Sequence, residues 1–228
     1  MFDGFFGGFY RFGEVIFLLL YVNVLWVLFT LLGGIVLGFG PSTVAMFSVF
    51  RKWSMGESDI PVFTTFWKTY REEFLRANAL GWVLAIIGLM LYVNLNYIEL
   101  ENTWFSAIIR YSILIAALIY SIMLIFIFPL YVHYESTFIT YFKNSIFVAI
   151  YNPIRTIYAI AAIFTLYYVF VMLPSFIFFI GPSLVGMVIM WIAYRSFMRI
   201  EYKQEQIQES MESEGKTTGG DEHVTSTN

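Results

Sequence analysis

Polar residues interrupt this chain at few places, and their spacing defines its elements. From Val15 to Phe50 there are 36 residues without a charge. As one helix that run would be about 54 Å long, well beyond a hydrocarbon core of about 30 Å. Gly33-Gly34 and Gly38-Phe39-Gly40-Pro41 break it. The pattern predicts a span over 15–32, a turn, and a short second helix from Pro41 to Trp53, with Arg51 and Lys52 snorkelling to the surface. One long tilted helix is the other reading of the same run. Phe63, Phe66, Trp67, Tyr70 and Phe74 then recur at helical spacing with charges on the opposite face, the pattern of a helix lying in the membrane surface. Further apolar runs predict spans over 77–98, 104–131, 153–173 and 182–200. A second surface helix falls within 133–150, where Phe138, Tyr141, Phe142 and Lys143 repeat the aromatic–basic pattern.

Lys and Arg crowd 51–76 and 195–203, whereas 99–102 and 174–181 have none. Positive loops stay in the cytoplasm, so six spans put both termini there. A single helix over 15–50 would leave five spans and an external N-terminus. Composition agrees with a membrane protein. Hydrophobic residues are 59% of 228 and charged residues 13%, with a mean hydropathy of +0.73. A soluble domain carries about 25% charged residues. The net charge of −3 is concentrated at one end: residues 203–228 hold two basic and six acidic residues, and the remainder holds 11 and 10. The expectation is one all-α membrane domain over 1–202, followed by a disordered acidic tail over 203–228.

Two internal repeats stand out. Gly40-Pro41-Ser42-Thr43-Val44-Ala45-Met46 returns as Gly181-Pro182-Ser183-Leu184-Val185-Gly186-Met187. Proline lacks an N–H and suits the first helical turn, so both copies read as tight helix starts, capped by Ser42 and Ser183. Phe63–Thr69 also aligns with Phe138–Asn144, and Phe9-Tyr10-Arg11 precedes the first span. These suggest three helical-hairpin units, each with a surface segment, a rising helix and a falling helix. Internal repeats in transporters tend to enclose a site.

The glycine-rich first span ending in Gly-Pro-Ser, the basic aromatic segment Phe63 to Asn78, and Phe128-Pro129-Leu130 resemble the YesL-like family of bacterial membrane proteins. The resemblance covers about residues 1–200. It implies a multi-pass membrane protein of the cell membrane, without an established activity. It also implies an accessory role beside oligosaccharide importers, because genes of the family often lie next to theirs.

Chemistry-bearing residues are few. There is no cysteine, and the two histidines, His133 and His223, fit no His-Glu-x-x-His or triad pattern. His133 reads as an ordinary amphipathic residue, and Glu57, Asp59, Glu72, Glu73, Glu99, Glu101 and Glu135 read as solvated. We therefore expect no enzyme, cofactor, metal or nucleic-acid partner. Within the apolar helices, Arg110 reads as snorkelling, as pairing with Glu99 or Glu101, or as a buried cation for a ligand. Asn23, Asn94 and Asn96 read as hydrogen-bonding across helices. Gly81, Ala85 and Gly88 form a small-residue face for a partner helix. Two functions remain. One is a non-enzymatic accessory or scaffold factor beside a sugar transporter complex. The other is a small transporter or channel-like protein with its own pathway between the repeats. The bilayer is the one certain partner, and the sequence leaves the oligomeric state open.

Overall fold

The computed structural model describes residues 3–57, 59–97 and 103–221, with side chains between 12 and 211. Its elements are α1 (Asp3–Leu32), α2 (Val36–Ser54), α3 (Val62–Glu72), α4 (Phe74–Tyr97), α5 (Trp104–His133), α6 (Phe138–Tyr151), α7 (Pro153–Met172) and α8 (Pro174–Asp221). Among the described residues there is no strand. In hydrocarbon every backbone polar group must be satisfied within its own segment, which selects helices. Five helices are long and apolar enough to cross a membrane: Phe12–Leu32, Phe74–Tyr97, Trp104–His133, Pro153–Met172 and Pro174–Met211. Their outward faces carry large apolar side chains such as Leu75, Leu89, Met172 and Phe178.

The helix that the other elements surround is α2, which is not among those five. It packs against α1, α3, α4, α5 and α8, and every residue from Gly40 to Phe47 is buried. The run is broken after Leu32, as the first reading of 15–50 expects, and the single long helix is excluded; the second helix starts at Val36, five residues before Pro41. Both ends of the chain on one face would require α2 as a sixth crossing.

The break itself is a tight turn. Gly34 has φ +71° and Ile35 has φ 65° with ψ −64°. The Val36 N–H bonds the Gly34 carbonyl at 2.8 Å, closing a three-residue γ-turn of the rare positive-φ kind. A β-branched residue there is strained. Ile35 is exposed, so Ile35→Gly removes little packing. The replacement is expected to raise stability by about 1 kcal/mol, after the entropic cost of glycine. A lower thermal midpoint in detergent would contradict this.

Both Gly-Pro-Ser copies correct the sequence reading. Pro41 lies inside α2 and Pro182 inside α8, which begins eight residues earlier at Pro174. The uncharged segment 174–181 is thus helix, not a turn. Ser183 Oγ bonds the Ile180 carbonyl of its own helix, and buried Ser42 Oγ has no partner, so neither serine caps a helix start. A proline within a helix frees the carbonyl four residues back. In α8 that carbonyl belongs to Phe178, and Asn23 Nδ2 of α1 donates to it at 2.8 Å. This repair from another helix is what allows Pro182 to sit inside α8.

Of the three proposed units, two share an element order. A surface helix leads into two long helices as α3-α4-α5 and again as α6-α7-α8. In the first unit Phe9-Tyr10-Arg11 lies inside α1, so no separate surface helix precedes it. α8 continues past the expected boundary at 202 to Asp221, while 222–228 lie outside the described residues. Gln, Glu, Met and Lys dominate the first turns beyond 202 and are good helix formers.

Candidate functional site

Charged and titratable residues from four helices converge at one end of the bundle. Arg51 and Lys52 end α2, where its apolar run stops. Lys68 and Thr69 stand on α3 away from the buried pair Phe66 and Tyr70, which pack on Phe29 of α1. Glu73 joins α3 to α4, Arg76 lies in the first turn of α4, and His133 ends α5. They border a cavity of about 940 Å³ that extends to Val44 and Ser48 on α2 and to Thr137 and Tyr141 at the start of α6.

Beside the cavity runs a chain of polar contacts through three helices. Arg51 Nε donates to His133 Nδ1 at 3.3 Å. His133 Nε2 stands 3.6 Å from Glu201 Oε1, which accepts from the Tyr134 hydroxyl at 2.6 Å. A ring nitrogen that accepts carries no proton, so this geometry assigns the Nε2–H tautomer. The ring stacks on Phe197 with centroids 5.0 Å apart, and the side chain is only 8% exposed. Burial, then the bond to Glu201, pushes the Tyr134 phenol above its ordinary pKa. In the cavity lining, the Tyr131 hydroxyl donates to Glu73, and Arg76 Nη1 lies 3.9 Å from the second Glu73 oxygen. The Ser48 and Thr69 hydroxyls bond at 3.0 Å across α2 and α3.

Two cations keep charge to spare. Arg51 is held by an uncharged ring, and Lys68 has no ion-pair partner among the described residues. The imidazole has both nitrogens engaged, which suits it to hold three helix ends in place. No group of three or more His, Cys, Asp or Glu forms a metal-binding arrangement among the described residues.

The residues singled out from the sequence are scattered elsewhere. Gly40 packs on α4, where an added Cβ would lie 2.8 Å from the Ala77 carbonyl oxygen. Gly181, Pro182 and Ser183 occupy the opposite third of α8. The two motifs still meet, because Met46, the last residue of the first, packs on Gly186, the sixth of the second. Asn94 and Asn96 bond the carbonyls of Met90 and Tyr92 four residues back, not another helix. Of the three asparagines only Asn23 bridges helices. Arg110 is exposed, and its expected partners Glu99 and Glu101 lie outside the described residues. Gly81 and Gly88 are spent internally, the first on Gly40 and the second under the Tyr120 hydroxyl, so the expected partner face is mostly occupied.

His133, Glu73 and Glu201 were missed as a set. The available signal was polarity out of place. Tyr131-Val132-His133-Tyr134-Glu135 closes a 30-residue apolar helix, and Glu201 is a lone acid among Arg195, Arg199 and Lys203.

Comparison with known proteins finds one family and three relatives. The family described as "Protein of unknown function, DUF624" matches residues 19–95, from within α1 to near the end of α4, and so includes the whole of α2 and α3. The chain is similar to three Bacillus subtilis proteins described as uncharacterized. YesV is 39% identical over 85% of this chain and 93% of its own length, YteU 37% over 87% and 89%, and YesL 28% over 82% and 88%. No solved structure matches. With relatives this similar along nearly their whole length, and the helical membrane architecture in place, the chain belongs to the DUF624, or YesL-like, family of proteins.

Proposed function

We propose that the protein is a non-enzymatic accessory factor of the cell membrane that docks a loop of a carbohydrate importer in the charged cavity, with the basic end facing the cytoplasm. One observation carries this reading: Leu80 and Leu130, the chain neighbours of the lining residues Ala79 and Tyr131, belong with Phe126 and Ile127 to a buried apolar cluster rather than to a polar path. A solute pathway needs polar groups or water along its length, since unpaired polar groups in hydrocarbon are costly. A chamber with Arg51, Lys68, Glu72 and several hydroxyls at its mouth suits a polar polypeptide segment instead. The importer's identity as a sugar transporter follows from the family resemblance alone.

The test combines three measurements. A photo-crosslinking residue at Lys68 is expected to capture a membrane subunit of an importer in living cells. The purified protein, reconstituted alone in sealed vesicles, is expected to accumulate no labelled sugar above empty vesicles. In this chain without cysteines, Lys68→Cys is expected to react with an impermeant thiol reagent only in inside-out vesicles. Sugar accumulation by the protein alone would establish the transporter reading instead. Unchanged uptake in cells lacking the protein, with no importer captured, would remove the accessory role.

A further inference from the structure

A second set of cations lies away from the charged cavity, where α7 begins and α8 leaves the bundle. Arg155 occupies the first turn of α7, which packs on α8, the helix that carries Arg195 and Arg199. None of the three has an acidic partner within 4 Å among the described residues. Glu201, nearby in sequence, is turned to Tyr134 and His133. Like charges gathered in this way repel unless an anion joins them.

Two buried groups lack partners at the same place. Asn152 is 3% exposed, and neither its Oδ1 nor its Nδ2 has a hydrogen-bond partner. Arg155 Nη1 is buried and equally unpartnered. Asn152 immediately precedes α7 and Arg155 lies in its first turn, where the helix presents its unpaired N–H groups. Buried donors of native proteins are nearly always paired, and these are left free beside uncompensated positive charge. An oxyanion would satisfy the amide, the guanidinium and the helix start together.

The surroundings identify the carrier. Ile154 and Tyr158 on α7 are exposed along the same helix as Arg155, and exposed Trp191 on α8 lies under the Arg195 guanidinium at 3.8 Å. These side chains belong to helices apolar enough to span the membrane, at their basic end. We propose that this corner binds the phosphate of an anionic phospholipid, with Arg155, Arg195 and Arg199 holding the headgroup and Asn152 donating to it. The acyl chains then run along Ile154, Tyr158 and Trp191. The site is separate from the charged cavity and does not depend on the accessory role.

The experiment uses the full chain, delipidated in a neutral detergent and titrated with phosphatidylglycerol or phosphatidylcholine. Bound lipid is read by native mass spectrometry and by thermal shift. Phosphatidylglycerol is expected to bind about a hundredfold more tightly than phosphatidylcholine, as about 1 kcal/mol per basic residue implies for three arginines. Arg155→Gln combined with Arg199→Gln should remove about thirtyfold of that preference, whereas Arg71→Gln on α3 should leave it intact. Arg199 is exposed, so Arg199→Gln alone tests the site if the double variant does not fold. Its expected loss is about fivefold. Equal binding of the two lipids, or wild-type binding by these variants, would overturn the proposal. Displacement of phosphatidylglycerol by millimolar inorganic phosphate would assign the site to a soluble phosphate and overturn the lipid.

Discussion

Gly40→Val is expected to remove most folded protein. Gly40 is buried in α2 and faces the first turn of α4 so closely that an added Cβ would lie 2.8 Å from the Ala77 carbonyl oxygen and 3.2 Å from its carbon. Those atoms belong to helical backbone, which cannot rotate away as a side chain can. α4 would have to move off α2, opening contacts on both sides of the helix at the centre of the bundle. Overpacking typically costs 1–3 kcal/mol, and a backbone collision at the hub should reach about 3 kcal/mol or more. The matching position in the second motif behaves differently. A Cβ at Gly181 meets Ile177 Cγ1 at 3.0 Å, a side chain of its own helix that can change rotamer. Gly181→Val should therefore cost about 1 kcal/mol. Monodisperse yield from gel filtration and the thermal midpoint measure both. Equal losses at the two positions would return the motif to its first reading, as paired tight helix starts.

Asn23→Leu is expected to destabilise by about 1–2 kcal/mol, in the range measured for hydrogen bonds between membrane helices. The substitution keeps the side chain's bulk and deletes the donor to the Phe178 carbonyl, which Pro182 leaves without an N–H. The loss is moderated because Asn23 Oδ1 is itself buried without a partner, so the leucine also removes an unpaired acceptor. A second substitution makes the cause visible. Pro182→Ala restores an N–H four residues after Phe178, and in the Asn23→Leu background it should recover most of the lost stability. The same change in the wild-type chain should give little, because Asn23 already occupies that carbonyl. The difference between the two backgrounds is the coupling, read from thermal midpoints of the four proteins. No difference would mean that the Asn23 bond carries no weight in α8.

The membrane-spanning helices were legible because each is a local matter. A run such as Trp104 to Tyr131 has too little polarity to leave lipid, and only a helix satisfies its backbone from within. The surface helices were legible for a similar reason, since Phe63, Phe66, Trp67 and Tyr70 face one way along a single segment, and α6 repeats their pattern. What α2 does was not legible. Lipid and protein interior are equally apolar, so hydropathy cannot distinguish a helix that faces acyl chains from one enclosed by five others. The Gly-Pro-Ser copies misled for a related reason. Local rules place proline at a helix start, and the bond that lets Pro182 sit within α8 comes from Asn23, 155 positions before Phe178. Glycine likewise reads as a turn, and Gly34 is one, but Gly40 is there because Ala77 lies against it.

The charged cavity depended most on tertiary structure. Arg51, Lys68, Glu73, His133 and Glu201 each stand at the end of an apolar run or on a surface helix, where a solvated charge is the ordinary outcome. Their convergence follows from the way α2, α3, α5 and α8 pack around one another. The sequence by itself determined that this chain is an all-helical membrane protein of the YesL-like family, because lipid constrains each segment separately. Which charges meet, which glycines separate helices and which helix lies at the centre were decided by packing, because those contacts join residues far apart in the chain.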